Sequence, residues 1–339
     1  MKKKLLAASM ALAFGGIAST ASAAPVVNAA GIGHTLLIPY FTAQGDMSTL
    51  INIVNTDTVN AKAVKVRFRG ASMSDDVFDF TVFMSPGDVF TGAVSQGTNG
   101  GAQFATADNS CTLPASVNQG FVTGRVGSAA GTLEGYVEVI TMADIDPDTT
   151  EGSLYSKIKH VNGVAPCGIT TADVEAVNPD AAAGAYAAAA AAAGFVLPTA
   201  SLFANVNIVD VPRAAAYSVE ATAIVDDADT YAIIYSPQLP TPLTEQPNLD
   251  TWSADDGLTA TEANVVGSIY RAAYYDMPDL STDFELGGYT GNPATHIDEK
   301  SDAVMAGNVS NEFLTDASIL AATDWVFSMP TRRYYAIYD

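Results

Sequence analysis

The chain has 339 residues, 48% of them hydrophobic, enough to build a core rather than remain a disordered tail. Its 15 basic residues face 37 acidic ones, and the net charge of −22 repels phosphate backbones and anionic headgroups, which argues against nucleic-acid binding. Only 15% of residues are charged, so the polar surface must rest on Thr, Ser, Asn and Gly, a composition common in extracellular β-proteins.

Met1-Lys2-Lys3-Lys4 is a compact basic start, and Leu5 to Ile17 is an apolar run. Ala21-Ser22-Ala23 then supplies small residues at the two positions that signal peptidase reads. The pattern predicts a secretory signal peptide over residues 1–23, too short and wrongly flanked for a transmembrane helix. The mature chain is expected to begin near Ala24-Pro25 at the cell surface, in the extracellular space or in the periplasm, with no stable membrane insertion after cleavage. Loss of Lys2, Lys3 and Lys4 deepens the charge from −22 to −25.

Strand signals dominate from His34 to Gly92. Thr35-Leu36-Leu37-Ile38-Pro39-Tyr40-Phe41 reads as a first strand, with Pro39 suggesting an edge or a bulge. Ser48 to Val54 reads as a second, ended by the turn Asn55-Thr56-Asp57. Ala63 to Arg69 alternates as a half-buried strand, with Val64, Val66 and Phe68 on one face and Lys65, Arg67 and Arg69 on the other. Phe78, Phe80, Val82 and Met84 form a further apolar face. Ser85-Pro86-Gly87-Asp88 is a turn by composition, followed by Val89-Phe90-Thr91-Gly92. Successive strands joined by short turns imply antiparallel pairing, as in a sandwich.

From Ser95 to Gly135 the composition predicts long loops with weak strands, and Tyr136 to Met142 restores a strand. Asp144 to Ala200 reads as an excursion. Inside it, Ala181-Ala182-Ala183 and the run from Ala187 to Ala193 predict a helix, started by Asn178-Pro179-Asp180 and stopped by Gly194. Ser201 to Val209, Ser218 to Asp226 and Tyr231 to Tyr235 read as strands. A Pro-rich loop, Ser236 to Pro247, opens a second excursion with a short helix near Thr259 to Tyr275. Thr323 to Met329 and Tyr334 to Tyr338 read as closing strands. The expected fold is all-β and mainly antiparallel: an Ig-like or jelly-roll-like β-sandwich over residues 24–339, with one Ala-rich helix and long loop insertions at 143–200 and 236–308.

Four segments carry a resemblance. The stretches LLIPYFTAQGDMSTLINIVNTDT, VKVRFRGA, DFTVFMSPGDVFTG and TDWVFSMPTRR resemble a group of uncharacterised bacterial exported, cell-surface-type proteins. An opening IPY-like strand, an NTD turn, an SPxDxxTG turn and a TDWVxxxPT segment recur in that group. The resemblance covers the first third of the chain and its last twenty residues, not the middle excursions. It implies a surface-exposed β-sandwich and transfers no catalytic residue.

Cys111 and Cys167 are the two cysteines, and in an oxidising compartment the expected reading is one disulfide closing a loop of roughly 55 residues. Two free thiols or a metal pair are the alternatives. Asp144, Asp146 and Asp148, with Glu151 nearby, have the spacing of a calcium loop. An EF-hand is excluded, because Thr149 stands where Gly is needed and Tyr155 where Glu is needed. A solvated acidic loop competes with an irregular calcium site there. Asp226, Asp227 and Asp229 read as a β-turn. His34, His160 and His296 are scattered without a zinc pattern, His296 and Glu299 forming only a lone HxxE, and His160 reads as lying on a solvated face. No GxSxG elbow or P-loop is present, so no cofactor other than calcium is expected. Trp252, Tyr270, Tyr274 and Tyr275 are candidates for a sugar platform, with core packing the competing role. Uneven strand spacing argues against an outer-membrane barrel.

These readings lead to an exported structural protein, a filament or surface-layer subunit acting by self-association or contact with other surface proteins, and not an enzyme. Thr35, Leu36, Leu37 and Ile38 are the candidate strand for pairing with a neighbour, against the alternative that they pair within the chain. A secreted carbohydrate-binding or hydrolytic module, with a glycan as partner, and a calcium-stabilised adhesin are the alternatives.

Overall fold

The computed structural model describes residues 25–72, 74–175, 190–226, 234–235, 237, 280, 300–310, 318 and 325–330. Within them, stretches of period two become strands: β1 (Val26–Val27), β2 (Thr35–Thr42), β3 (Met47–Asn55), β4 (Ala61–Gly70), β5 (Asp76–Met84) and β6 (Val89–Gln96). The Gly- and Asn-rich stretch that follows yields only short strands, β7 (Ala102–Ala105), β8 (Cys111–Leu113) and β9 (Gln119–Gly120). Next come the long β10 (Glu134–Ile145), the helices α1 (Leu154–Ile158) and α2 (Thr171–Glu175), and β11 (Phe195–Val196). Strands β12 (Leu202–Asp210), β13 (Ala215–Glu220) and β14 (Thr222–Val225) complete the set.

Two antiparallel sheets pack face to face as a sandwich. One has the order β1-β14-β2-β10-β4-β5-β8, with β11 added to β10, and the other the order β13-β12-β3-β6-β7-β9. Leu36, Val64, Val66 and Phe80 from the first sheet meet Ile51, Ile53, Phe90 and Val206 from the second. An aromatic cluster centres this layer: Phe68 lies 5.1 Å from Phe121 and Phe80 5.3 Å from Phe104, ring centre to ring centre. Gly92 makes room for it, since a Cβ there would sit 2.2 Å from the Phe104 ring. The TG that ends the SPGDVFTG segment is thereby explained by packing.

The first sheet is covered on its other face as well. Leu154, Tyr155 and Ile158 of α1, Val174 of α2 and Phe195 of β11 pack on Ala63, Phe83 and Met142. Farther along, Leu280 and Val304 pack on Leu37, Ile140 and Ile224. Cys111 and Cys167 are joined by a disulfide across 56 positions, so β8 is tied to the excursion that carries α1 and α2.

Several expectations change. The basic face of β4 is not solvated: Lys65, Arg67 and Arg69 are fully buried. Thr35 to Ile38 lie in β2 and all pair with β10, and Thr35 to Leu37 pair with β14 on the other side as well. Thr35 to Leu37 therefore present no free edge, and the expected pairing strand for a neighbour is corrected on that ground to the alternative, pairing within the chain. The expected strand from Ser218 to Asp226 is broken at Ala221, where the chain leaves one sheet for the other. Trp325 to Met329 have no strand conformation. The Ala-rich helix lies outside the described residues except for its end at Ala190 to Gly194, where Gly194 has φ +86°. The signal peptide, the helix near 259–275, the strand at 334–338, His296, Glu299 and the platform residues Trp252, Tyr270, Tyr274 and Tyr275 also lie outside them.

Candidate functional site

Four sets of polar residues are brought together, and their geometry separates architecture from a candidate site. The first is the buried basic face of β4. Register places Glu138 of β10 and Asp79 of β5 on either side of Arg67, and Asp76 beside Arg69. Arg67 Nη1 donates to Asp76 Oδ2 at 2.9 Å, Arg69 Nε to Glu138 Oε1 at 3.3 Å, and Lys65 Nζ to Asp79. Burial opposes the charge on Asp79, yet Lys65 and Arg67 hold its carboxyl below the usual range. This ladder neutralises itself under cover and has no access for a ligand among the described residues.

The second set contains Asp144, expected in a calcium loop. It is instead fully buried in β10, where Lys62 Nζ donates to it and also to Thr199 O at 3.1 Å and Thr199 Oγ1 at 3.0 Å. Burial pushes the Asp144 carboxyl up and the Lys62 ammonium down, so the contact between them opposes desolvation of both. Asp146 pairs through its backbone N–H with Gly194 O at 2.9 Å, while Asp148 is exposed and accepts from the Thr150 N–H at 2.8 Å. Glu151 is also exposed. The four are not brought together, and no group of three acidic, His or Cys side chains fit for a metal occurs among the described residues. The D-x-D-x-D spacing is cut by the strand end, which sends its first member inward.

Nearby, Asp226 is buried, 3.2 Å from Lys300 Nζ, while Asp227 and Asp229 of the expected turn lie outside the described residues. Its N–H donates to His34 Nδ1 at 3.0 Å, and burial lowers the His34 pKa, so the ring is held neutral as an acceptor.

The third set explains the NTD and SPGD turns. Both carry the chain across the sandwich, β3 to β4 and β5 to β6, and they dock on each other. Asn55 is fully buried; its Nδ2 donates to Ser85 O at 3.0 Å and Asn60 O at 3.1 Å, and its Oδ1 accepts from the Asp57 N–H at 3.0 Å. The Gly87 N–H reaches Asp57 O at 2.8 Å. Asp57 is held below the usual carboxylate range, for donation from Asn60 and Val59 outweighs its burial. Asn55→Ala would leave buried carbonyls unpaired, with an expected loss of about 2–3 kcal/mol read as a lower urea midpoint.

His160 belongs to the same corner. Its Nδ1 lies 2.9 Å from Ser85 Oγ and 3.4 Å from Asp88 Oδ2, beside an open cleft. The trio is not a hydrolytic triad. One ring nitrogen faces both partners, whereas a relay needs one for each. Ser85 is buried, and its hydroxyl donates to Ile158 O at 3.2 Å. His160 is therefore a tie between a sheet-crossing turn and α1, not a residue on a solvated face.

The fourth set is a groove of about 600 Å³ along the first sheet. Pro39 and Tyr40 of β2 and Glu134, Gly135 and Tyr136 of β10 line its sheet side. A β-bulge lies here, for the β10–β2 register shifts between Gly135 and Val137. Gly135 is required at that point, since a Cβ would meet Arg69 O at 1.7 Å. The opposite wall is Trp325 to Met329. Ser328 Oγ donates to Pro39 O, and Tyr136 Oη to Pro330 O at 3.4 Å, which pins this segment to the sheet. Trp325 and Phe327 stack at 5.9 Å and remain 46% and 65% exposed. Tyr40 Oη donates to Glu134 Oε2 at 3.0 Å, and its pKa is pushed up to about 12, chiefly by burial with Glu134 adding to it. The phenol thus stays a neutral donor at any physiological pH. Sequence reasoning missed this groove; Trp325 and Phe327 read as strand alternation. Comparison with known proteins finds no family model, no curated protein and no solved structure that matches the chain.

Proposed function

We propose that this is an exported structural protein of the cell surface that works by self-association, with β13 pairing to β13 of a second copy. The observation that supports it is the state of the sheet edges. Natural edges are kept short or protected by Lys, Pro or bulges, because an open edge templates pairing. Here β1 and β9 have two residues each, and β8 has three with Pro114 directly after it. By contrast β13 has six, in unbroken register with β12, and Ala215, Ala216, Tyr217, Ser218 and Glu220 are exposed. It carries no Lys, no Pro and no bulge.

A centred antiparallel pair would set Glu220 against Ala215 of the second copy, so the one charge in the strand meets no like charge. Such a contact is isologous and closes a two-fold pair; a filament or surface layer then needs a second contact per copy. The predicted leader supports an exported address. The Cys111–Cys167 disulfide fits an oxidising compartment. No helix among the described residues is long and apolar enough to cross a membrane.

Negative-stain microscopy of the protein without its leader tests the reading. Paired particles, fibres or sheets are expected. Uniform single particles at concentrations well above the micromolar range would overturn it.

A further inference from the structure

We propose that the groove between the β2–β10 bulge and Trp325 to Met329 binds a neutral saccharide, a hexopyranose unit of a surface glycan. Its volume of about 600 Å³ falls within the range of small-ligand sites and accommodates a short oligosaccharide. One wall is an exposed aromatic pair, Trp325 and Phe327, and an indole left open to water on an otherwise covered sheet is a surface that gains by being covered. The apolar C–H face of a pyranose ring matches it in size and chemistry.

Polar groups sit opposite, where ring hydroxyls would fall. Glu134 uses Oε2 for Tyr40 and leaves Oε1 without a partner among the described residues. Ser72, Ser74 and the hydroxyls of Tyr40 and Tyr136 line the same space. A carboxylate oxygen and hydroxyl oxygens that can still accept suit the O–H donors of a sugar, and a lipid or apolar peptide would cover them without supplying a donor. The chain's charge of −22, with Glu134 in the groove, selects against acidic sugars.

The wall is also built. Ser328 and Pro330 are pinned to Pro39 and Tyr136, while the Trp325 and Phe327 rings just before them remain exposed. The bulge at Gly135 re-aims the β10 side chains at the same place, as bulges beside binding sites do. The inference is independent of β13, which contributes no residue to the groove.

The test uses the leaderless protein on an array of neutral and acidic oligosaccharides. Fluorescence titration of Trp252→Phe follows, in which Trp325 is the sole indole. Saturable binding of a neutral oligosaccharide with a shift in indole emission is expected. Trp325→Ala and Glu134→Ala should each weaken it about tenfold or more with unchanged melting temperature, while Ala216→Lys/Ser218→Lys leaves it intact. No saturable glycan, binding of acidic glycans alone, or affinity indifferent to Trp325→Ala and Phe327→Ala would overturn the proposal.

Discussion

Glu138→Leu should destabilise the fold by about 3–5 kcal/mol, far more than a surface charge removal of at most about 1 kcal/mol. Glu138 and Arg69 are both fully buried, and Glu138 also stands directly across from Arg67. Removing it leaves the buried cations Arg67 and Arg69 one counter-charge short. The loss comes from the stranded cation rather than from the attraction given up. Glu138→Leu/Arg69→Met should therefore recover most of the stability, since replacing both members of a buried pair by apolar groups is close to neutral. Urea denaturation of the two variants reads both values. A loss below about 1 kcal/mol for the single variant would mean that water reaches this face of the sheet.

Loss of the Cys111–Cys167 bridge should cost about 4 kcal/mol, whether by Cys111→Ser/Cys167→Ser or by a thiol reductant. The bridge spans 56 positions, and that separation sets the entropy it removes from the unfolded chain. It also secures the excursion. The Cys167 N–H donates to Lys157 O at 2.9 Å, and Cys111 packs among Leu154, Tyr155 and Ile158. Without the covalent tie, α1 is held to the sheet by packing and by the contacts of Ser85 with Ile158 O and His160. Hydrogen exchange should then show α1 opening ahead of β4 and β10, alongside the lower urea midpoint.

Much of the sandwich was legible because period two survives in the early strands. Ser48 to Val54 was expected and Met47–Asn55 found; Ala63 to Arg69 was expected and Ala61–Gly70 found. Alternation separates two faces of a strand, but it does not say which face is wet. In β4 both are covered, and the signal for that lay in other strands: Asp76, Asp79 and Glu138 are acids at positions that register brings beside Lys65, Arg67 and Arg69. The NTD and SPGD turns were readable as turns, while their docking joins residues 30 positions apart. The groove was least legible. It needs Tyr40, Glu134 and Trp325 in one place, and Trp325 and Phe327 alternate like a strand where the chain takes no strand conformation. Asp144 misled for the converse reason, because a spacing that suits a loop was cut by the end of β10.

Among the described residues β13 is the longest open sheet edge, and the proposed self-association runs through it. Sedimentation velocity of the leaderless protein, beside Ala216→Lys/Ser218→Lys, measures that property directly. Both substitutions fall on exposed positions of β13 and add the charge by which natural edges resist pairing. The wild-type chain is expected to sediment as a dimer or larger species whose share grows with concentration, and the double variant as a monomer with the same melting temperature. A wild-type chain that stays monomeric across that range, or a variant that assembles equally well, would contradict association through β13.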